Sequence, residues 1–561
     1  MTTQHSPAAA SDTATHASRG TPIPWWRHGL VYQVYPRSFA DSDGDGTGDV
    51  NGIRSRLPYL RDLGVDAIWI SPWYRSPLND GGYDVADYRD IDPRFGTLAD
   101  AEALFEDAHA HGIKVIVDLV PNHSSSEHPW FKAALAAAPG SRERARYIFK
   151  DGKGKDGSEP PTNWVAVFGG SAWERVPDGQ WYLHLFDPTQ PDLNWENEEV
   201  RAEFDDIFRF WLDRGVDGFR IDVAHGLVKD PTYPDIADDP KLLENSRNAN
   251  HPHWDRDGVH EINRRWRAVL DSYDRDVMMV AEAWVDPAHV PLYLRPDEYH
   301  QSFNFDFLET PWRIDDVKKA IDRAVTEARK VGSTSTWTLS NHDVMRHATR
   351  YGLPKDAVWR EWPLSKPIDK LSKELDAEVG LRRARAATLL LLALPGSTYI
   401  YQGEELGLPD VWDLAPEVLD DPTWNNSDHK LKGRDGCRVP IPWTRSGESF
   451  GFGDGKAWLP QPPRYGELSA EAQTGVEGST LEVYREAIRL RRELLTADED
   501  LEWVDTGDKH GLAFRRGSGV LCIVNFGAKP VELPAGRVLI ASQQGVARQL
   551  PGDTTAWVLP D

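Results

Sequence analysis

The sequence predicts an α/β fold: a (β/α)8 TIM barrel, interrupted after its third strand by an inserted subdomain and followed by a C-terminal antiparallel β domain. Three observations predict it. Apolar, strand-like runs alternate with helical stretches from about Trp25 to Leu495. Asp222, Glu282 and Asp343 interrupt those runs near their C-terminal ends, where barrel enzymes carry their active sites. From about Thr496 the text changes to short alternating strands separated by Gly and Pro turns.

The rhythm begins with strands at Leu30–Phe39 and Val65–Pro72, joined by a helical stretch that stops at Gly64. A helix follows over Leu98–His111, with Ala101, Leu104, Phe105 and Ala108 on one face and Gly112 as its stop. Lys114–Asn122 (KVIVDLVPN) is the near-continuous apolar run of a parallel strand covered on both faces. Residues 124–193 are irregular, rich in Gly, Pro, Lys and Trp, and too long for a loop, so they read as the inserted subdomain. The stripe Val200, Phe204, Ile207, Phe208, Trp211 and Leu212 marks a helix closed by Gly215. It leads into a fourth strand at Gly218. Strands five to eight are expected at Val277–Trp284, Ser302–Phe307, Thr336–Asp343 and Gly396–Gln402, and a helix near Leu481–Leu495 closes the barrel. The domain reading is a disordered tail over 1–22, a barrel over 23–123 and 194–495, the insert over 124–193, and a β-sandwich over 496–561.

Composition narrows the function. Asp and Glu number 89 against 64 Lys and Arg, a formal charge of −25. That argues against nucleic acid, whose phosphates require a basic face. Two cysteines, Cys437 and Cys522, make neither a disulfide framework nor a thiolate metal site. The first twenty residues lack the apolar core of a signal peptide, and the best apolar run, Ala387–Leu394, is far too short to span a membrane. A cytoplasmic chain, monomeric or a small homo-oligomer, is expected, with no nucleic-acid or membrane partner.

One loop has the spacing of a cation site. Asp41–Asp49 (DSDGDGTGD) sets Asp41, Asp43, Asp45 and Asp49 at the first, third, fifth and ninth places, with Thr47 between and Gly46 at the turn. Hard cations want several oxygens on a tight turn. The twelfth place is Gly52, so the bidentate glutamate of an EF-hand is missing. The reading is a structural Ca²⁺ or Mg²⁺, with no cofactor needed for catalysis.

The chemistry is carried by Gly218–Ala224 (GFRIDVA), where Arg220 and Asp222 share a strand face, so that the guanidinium can keep the carboxylate ionised. An oriented, ionised aspartate is a nucleophile candidate, and a second carboxylate completes the minimum for glycoside hydrolysis. A metal centre built from His123, His342, Asp222, Glu282 and Asp343 is disfavoured by Arg220, which would oppose a cation. No Gly-x-Ser-x-Gly elbow and no phosphate loop follows any strand.

The segments DLVPNH (Asp118–His123), GFRID (Gly218–Asp222), AEAW (Ala281–Trp284) and SNHD (Ser340–Asp343), in that order, resemble glycoside hydrolase family 13, the α-amylase superfamily. QVYPRSF (Gln33–Phe39) and QPDLNWEN (Gln190–Asn197) look like its α-glucosidase and oligo-1,6-glucosidase branch. The resemblance implies Asp222 as nucleophile, Glu282 as acid/base, and Asp343 as the carboxylate that grips sugar hydroxyls. It implies His123 and His342 as sugar ligands, Arg220 as orienter of the nucleophile, Asp80 and Tyr83 as the pair that holds the terminal glucose, and Arg438 as partner of Asp80. Phe168 and Gln190, by their positions in the inserted subdomain alone, would line the neighbouring subsite. The implied activity is an exo-acting, retaining α-glucosidase that works on an oligosaccharide. Val223 resembles the branch's selector for α-1,6 bonds, whereas AHGLVKD, RDGCRVPIPW and the VPN of the first motif look like α-1,4-active members, so linkage stays open. A transglucosidase or sucrose-acting enzyme is the alternative, and a non-catalytic module of the same fold is the remote one.

Overall fold

The computed structural model describes residues 23–236, 250–354, 357, 372–495 and 500–561. The expected N-terminal tail and the barrel-to-C-terminal junction at 496 lie outside the described residues. Eight parallel strands form one sheet: β1 (Leu30–Val34), β2 (Ala67–Ile70), β3 (Lys114–Leu119), β4 (Gly218–Ile221), β5 (Met278–Ala281), β6 (Gln301–Ser302), β7 (Thr336–Thr338) and β8 (Ser397–Tyr401). Their order is β6-β5-β4-β3-β2-β1-β8-β7, so the sheet curls into a barrel with its seam between β6 and β7.

Helices follow the strands: α1 (Leu57–Leu63), α2 (Leu98–Ala110), α3 (Glu198–Leu212), α4 (Val259–Asp271), α5 (Phe305–Glu309), α6 (Ile314–Lys330), α7 (Ala377–Ala393) and α8 (Thr480–Leu494). Local signals set their ends. Thr97 and Asp100 cap α2 reciprocally, Asn197 caps α3 with Glu198 and Glu199 in its first turn, and Ser479 caps α8. Gly64, Gly112 and Gly215 stop the chain after α1, α2 and α3 with φ of 93°, 75° and 104°, a region closed to most residues. The side chains foreseen on the inner faces of α2 and α3 are all buried.

Strand alternation divides the apolar residues between two layers. Val31, Ala67, Trp69, Ile116, Met278, Val280 and Tyr399 point into the barrel, while Leu30, Tyr32, Ile68, Ile70, Val115 and Val117 pack beneath the helices.

The sixth element differs from expectation. Ser302–Phe307 is not a strand: pairing ends at Ser302, Asn304 accepts a hydrogen bond from the Phe307 N–H, and α5 begins at Phe305. An asparagine cap outweighs the alternation of Phe303, Phe305 and Phe307, which mimics a strand. The other strands stop one to five residues before the sequence suggests, so Asp222, Glu282 and Asp343 lie just beyond the strand ends.

Within 124–193 a three-stranded antiparallel sheet joins Phe149–Asp151, Gln180–Leu183 and Trp173–Arg175. At the C-terminus, β9 (Glu502–Val504), β10 (Gly511–Arg515), β11 (Leu521–Asn525), β12 (Gly536–Ala541) and β13 (Thr554–Pro560) form a five-stranded antiparallel sheet, with a separate two-stranded ladder beside it. Trp557 Nε1 and Thr555 Oγ1 of β13 donate to the carbonyls of Leu389 and Ala386 on α7, which docks this sheet on the barrel. Among the described residues no helix is long and apolar enough to cross a membrane.

Candidate active site

Strand register builds the centre. Arg220 on β4 lies opposite Asp118 on β3, and Val280 on β5 lies opposite Arg220 on the other side. The buried guanidinium therefore meets three carboxylates: Asp118 Oδ1 at 2.9 Å, Asp222 Oδ1 at 2.5 Å and Glu282 Oε2 at 2.9 Å. Asp222 was expected to be held ionised by Arg220. Burial instead dominates and lifts Asp222 well above the usual carboxylate range; Arg220 pulls it down, while Glu282 and Asp118 add to the rise. Burial likewise lifts Asp118 up to about 7. One guanidinium is shared among three buried carboxylates, so burial and mutual repulsion raise Asp222 and Asp118 together.

Glu282 is fixed at both oxygens. Oε2 accepts from the Val223 N–H at 2.9 Å and Oε1 from Trp284 Nε1 at 2.9 Å. Val223 makes its bond from a left-handed conformation, φ 44°, an outlier for a β-branched residue and a mark of backbone strain at a functional turn.

Asp343, beyond β7, faces two guanidinium cations and a buried imidazole. Arg434 and Arg438 reach its Oδ1 at 3.0 and 3.1 Å, and His342 Nε2 is 3.2 Å from its Oδ2. Burial opposes ionisation, but His342, Arg434 and Arg438 together hold the carboxyl far below its ordinary value. His342 itself is fully buried, with Nδ1 2.6 Å from Gln33 Nε2, and burial keeps its pKa well below that of free imidazole. Its ring stacks on Tyr83 at 5.2 Å and 5°, and the Tyr83 hydroxyl donates to Asp118 Oδ2.

The far wall is formed by Asp80. Here the structure corrects the expected pairing: Arg434, not Arg438, is its partner, with Nη2 2.6 Å from Asp80 Oδ1. Arg438 turns to Asp343 and to the His342 carbonyl. Gln190 Nε2 donates to Asp80 Oδ2 at 2.9 Å and lies 3.1 Å from His123 Nε2. His123 is buried, which lowers it to about 4, so it is neutral near pH 7. Phe168 lies under the Arg434 guanidinium, 5.0 Å from its ring centre, and edge-on to Phe186, which packs on His123.

The site residues expected from the sequence, apart from the cation loop, are thus linked in one continuous cluster. The sequence assigns no role to Asp118, Gln33 and Trp284, and places Arg434 only as one of two arginines, with Arg438, available to the barrel mouth. Asp118, Gln33 and Trp284 lie inside the segments that carry the family resemblance, and Arg434 is four residues before Arg438. In the loop, Asp41, Asp43 and Asp49 bring carboxylate oxygens within 4.8 Å of one another. Asp45 is not in that group; its Oδ1 accepts from the Thr47 N–H. The convergent carboxylates are the donor set that a hard cation takes.

A family model for the α-amylase catalytic domain matches residues 33–498. The chain belongs to the α-amylase family. An oligo-1,6-glucosidase of Parageobacillus thermoglucosidasius is 38% identical over 502 residues, covering 84% of each chain. A probable α-glucosidase of Rhizobium meliloti is 37% identical over 545 residues, covering 92% of each. Among solved structures, the α-glucosyl transfer enzyme XgtA superposes with a TM-score of 0.81 at 34% identity, and the trehalulose synthase MutB of Pseudomonas mesoacidophila with 0.82 at 31%. Each covers 96% of this chain and all of its own. As a member of this α-amylase branch the chain is a glycoside hydrolase, and its substrate is an oligosaccharide.

Proposed function

We propose that the chain is an exo-acting, retaining α-glucosidase that releases α-glucose from the non-reducing end of maltose-like or isomaltose-like oligosaccharides. The observation that carries this reading is the convergence of Asp222 and Glu282, from adjacent strand ends, on one guanidinium, opposite a polar wall of Asp80, Arg434 and Asp343. Asp222 attacks the anomeric carbon, and Glu282 protonates the departing oxygen; a glucosyl ester on Asp222 results. Glu282 then deprotonates water, which frees the sugar with its configuration retained. Asp343, His342 and His123 hold the glucose hydroxyls, and Tyr83 lies beneath the ring. The Asp80–Arg434 bridge closes the pocket behind the terminal sugar, which supports exo action.

The relatives named oligo-1,6-glucosidase and α-glucosidase support this substrate class. Interception of the glucosyl ester by a sugar in place of water is the second reading, favoured by the likeness to XgtA and MutB. Asp41, Asp43 and Asp49 would hold a structural Ca²⁺ or Mg²⁺ that ties the loop beyond β1. Both cysteines are buried and free, which supports a reducing cytoplasm.

Proton NMR of the earliest product from maltose, isomaltose and sucrose, in separate tubes, tests the assignment. Release of α-glucose is the expected result, and the relative rates rank the linkages. New disaccharides with little free glucose would favour transfer, and β-glucose would refute retention.

A further inference from the structure

A general acid must aim its proton-bearing oxygen to a fraction of an ångström, yet a glutamate side chain has three rotatable bonds. Arg220 and the Val223 N–H both engage Glu282 Oε2. Oε1, the other oxygen, accepts from Trp284 Nε1 at 2.9 Å. The indole N–H only donates, so it fixes Oε1 as an acceptor on that side and leaves the remaining direction for the proton.

The indole is in turn held. Its ring lies on Phe305 with centroids 3.5 Å apart and planes within 7°. Phe305 is buried in the barrel-interior cluster, packed on Phe303, which meets Trp69 and Tyr399. Phe305 takes this place because Asn304 caps α5 there in place of a continued strand. The turn after β5 and the first residue of α5 thus form one rigid support for one carboxylate oxygen.

We propose that Trp284, clamped by Phe305, is a positioning residue for the acid/base Glu282. The inference rests on the role assigned to Glu282 above. Trp284→Phe keeps a ring on Phe305 and deletes the donor. If Trp284 positions the acid, kcat/KM on maltose or isomaltose, whose leaving groups need a proton, falls about 10- to 100-fold. On 2,4-dinitrophenyl α-glucoside, whose leaving group departs unprotonated, kcat/KM changes less than about threefold. Phe305→Leu, which frees the indole but retains its N–H, gives the same selectivity with a smaller loss. Equal losses on both substrates in Trp284→Phe, or no loss on either, overturn the inference, because a merely structural role has no leaving-group dependence. A wild-type protein that cleaves neither substrate overturns the assignment of Glu282 itself, and with it this proposal.

Discussion

Arg434 stands between Asp80 and Asp343, 2.6 Å from one carboxylate and 3.0 Å from the other, with Asp421 2.5 Å from its Nε. One guanidinium therefore joins the back wall of the pocket to the carboxylate beyond β7. Lysine retains the charge but not the planar fork that serves three acceptors. Arg434→Lys is expected to lower kcat/KM on disaccharides about 10- to 100-fold, and to weaken inhibition by free glucose in parallel. Steady-state kinetics with glucose as inhibitor decide it; unchanged values on both counts would show that the fork is not used.

Asp222 shares Arg220 with two other buried carboxylates, so the charge it must carry to act as nucleophile strains the fold. Asp222→Asn removes that charge at nearly constant volume. Turnover should drop by about 10⁴-fold or more, with a melting temperature equal to or above that of the parent, the usual exchange at an active site. Retained activity, or a collapsed melting temperature, would contradict the role given to this aspartate.

The carboxylates Asp222, Glu282 and Asp343 were legible because charged residues at the ends of apolar strand runs have few other reasons to be there. The sharing of Arg220 was not, because it depends on the register that sets Asp118 beside it, and pairing between strands about a hundred residues apart leaves no local trace. Arg434 and Arg438 flank a single 3-10 turn at Asp435–Cys437, and sequence spacing cannot say which of them swings toward Asp80. The sixth strand misled because three phenylalanines at alternate positions carry the period of a strand, while the deciding contact is a single side-chain cap at Asn304.

The loop beyond β1 sets Asp41, Asp43 and Asp49 together, and Asp49 also caps the helix Val50–Ser55 through the Gly52 N–H. A cation there would offset carboxylate repulsion within the loop, and none of its three carboxylates is among the partners of Glu282 or Asp222. Dialysis against a chelator should lower the melting temperature by several degrees and leave turnover at 25 °C nearly unchanged, with Ca²⁺ restoring the loss. Asp43→Asn should abolish the calcium response. A melting curve indifferent to chelator and to calcium, with no metal found by elemental analysis, would remove the ion.

Glu404, just beyond β8, gives the fold a pH dependence of predictable sign. It is fully buried, and burial lifts its carboxyl from 4.5 up to about 8, although its Oε1 accepts from the Tyr401 N–H. Between those values the folded chain keeps a proton that the unfolded chain has released, so the contribution of this group falls as pH rises from about 5 to about 8 and is level beyond. A shift of this size corresponds to roughly 5 kcal/mol across the window. Glutamine can accept from the same N–H and does not titrate. Glu404→Gln should therefore narrow the stability gap between pH 5 and pH 9 by an amount of that order, measured as the difference between the two proteins so that the other buried groups cancel. Parallel stability curves for parent and variant would show that Glu404 is charged at neutral pH, with Arg346 and Arg350 outweighing its burial.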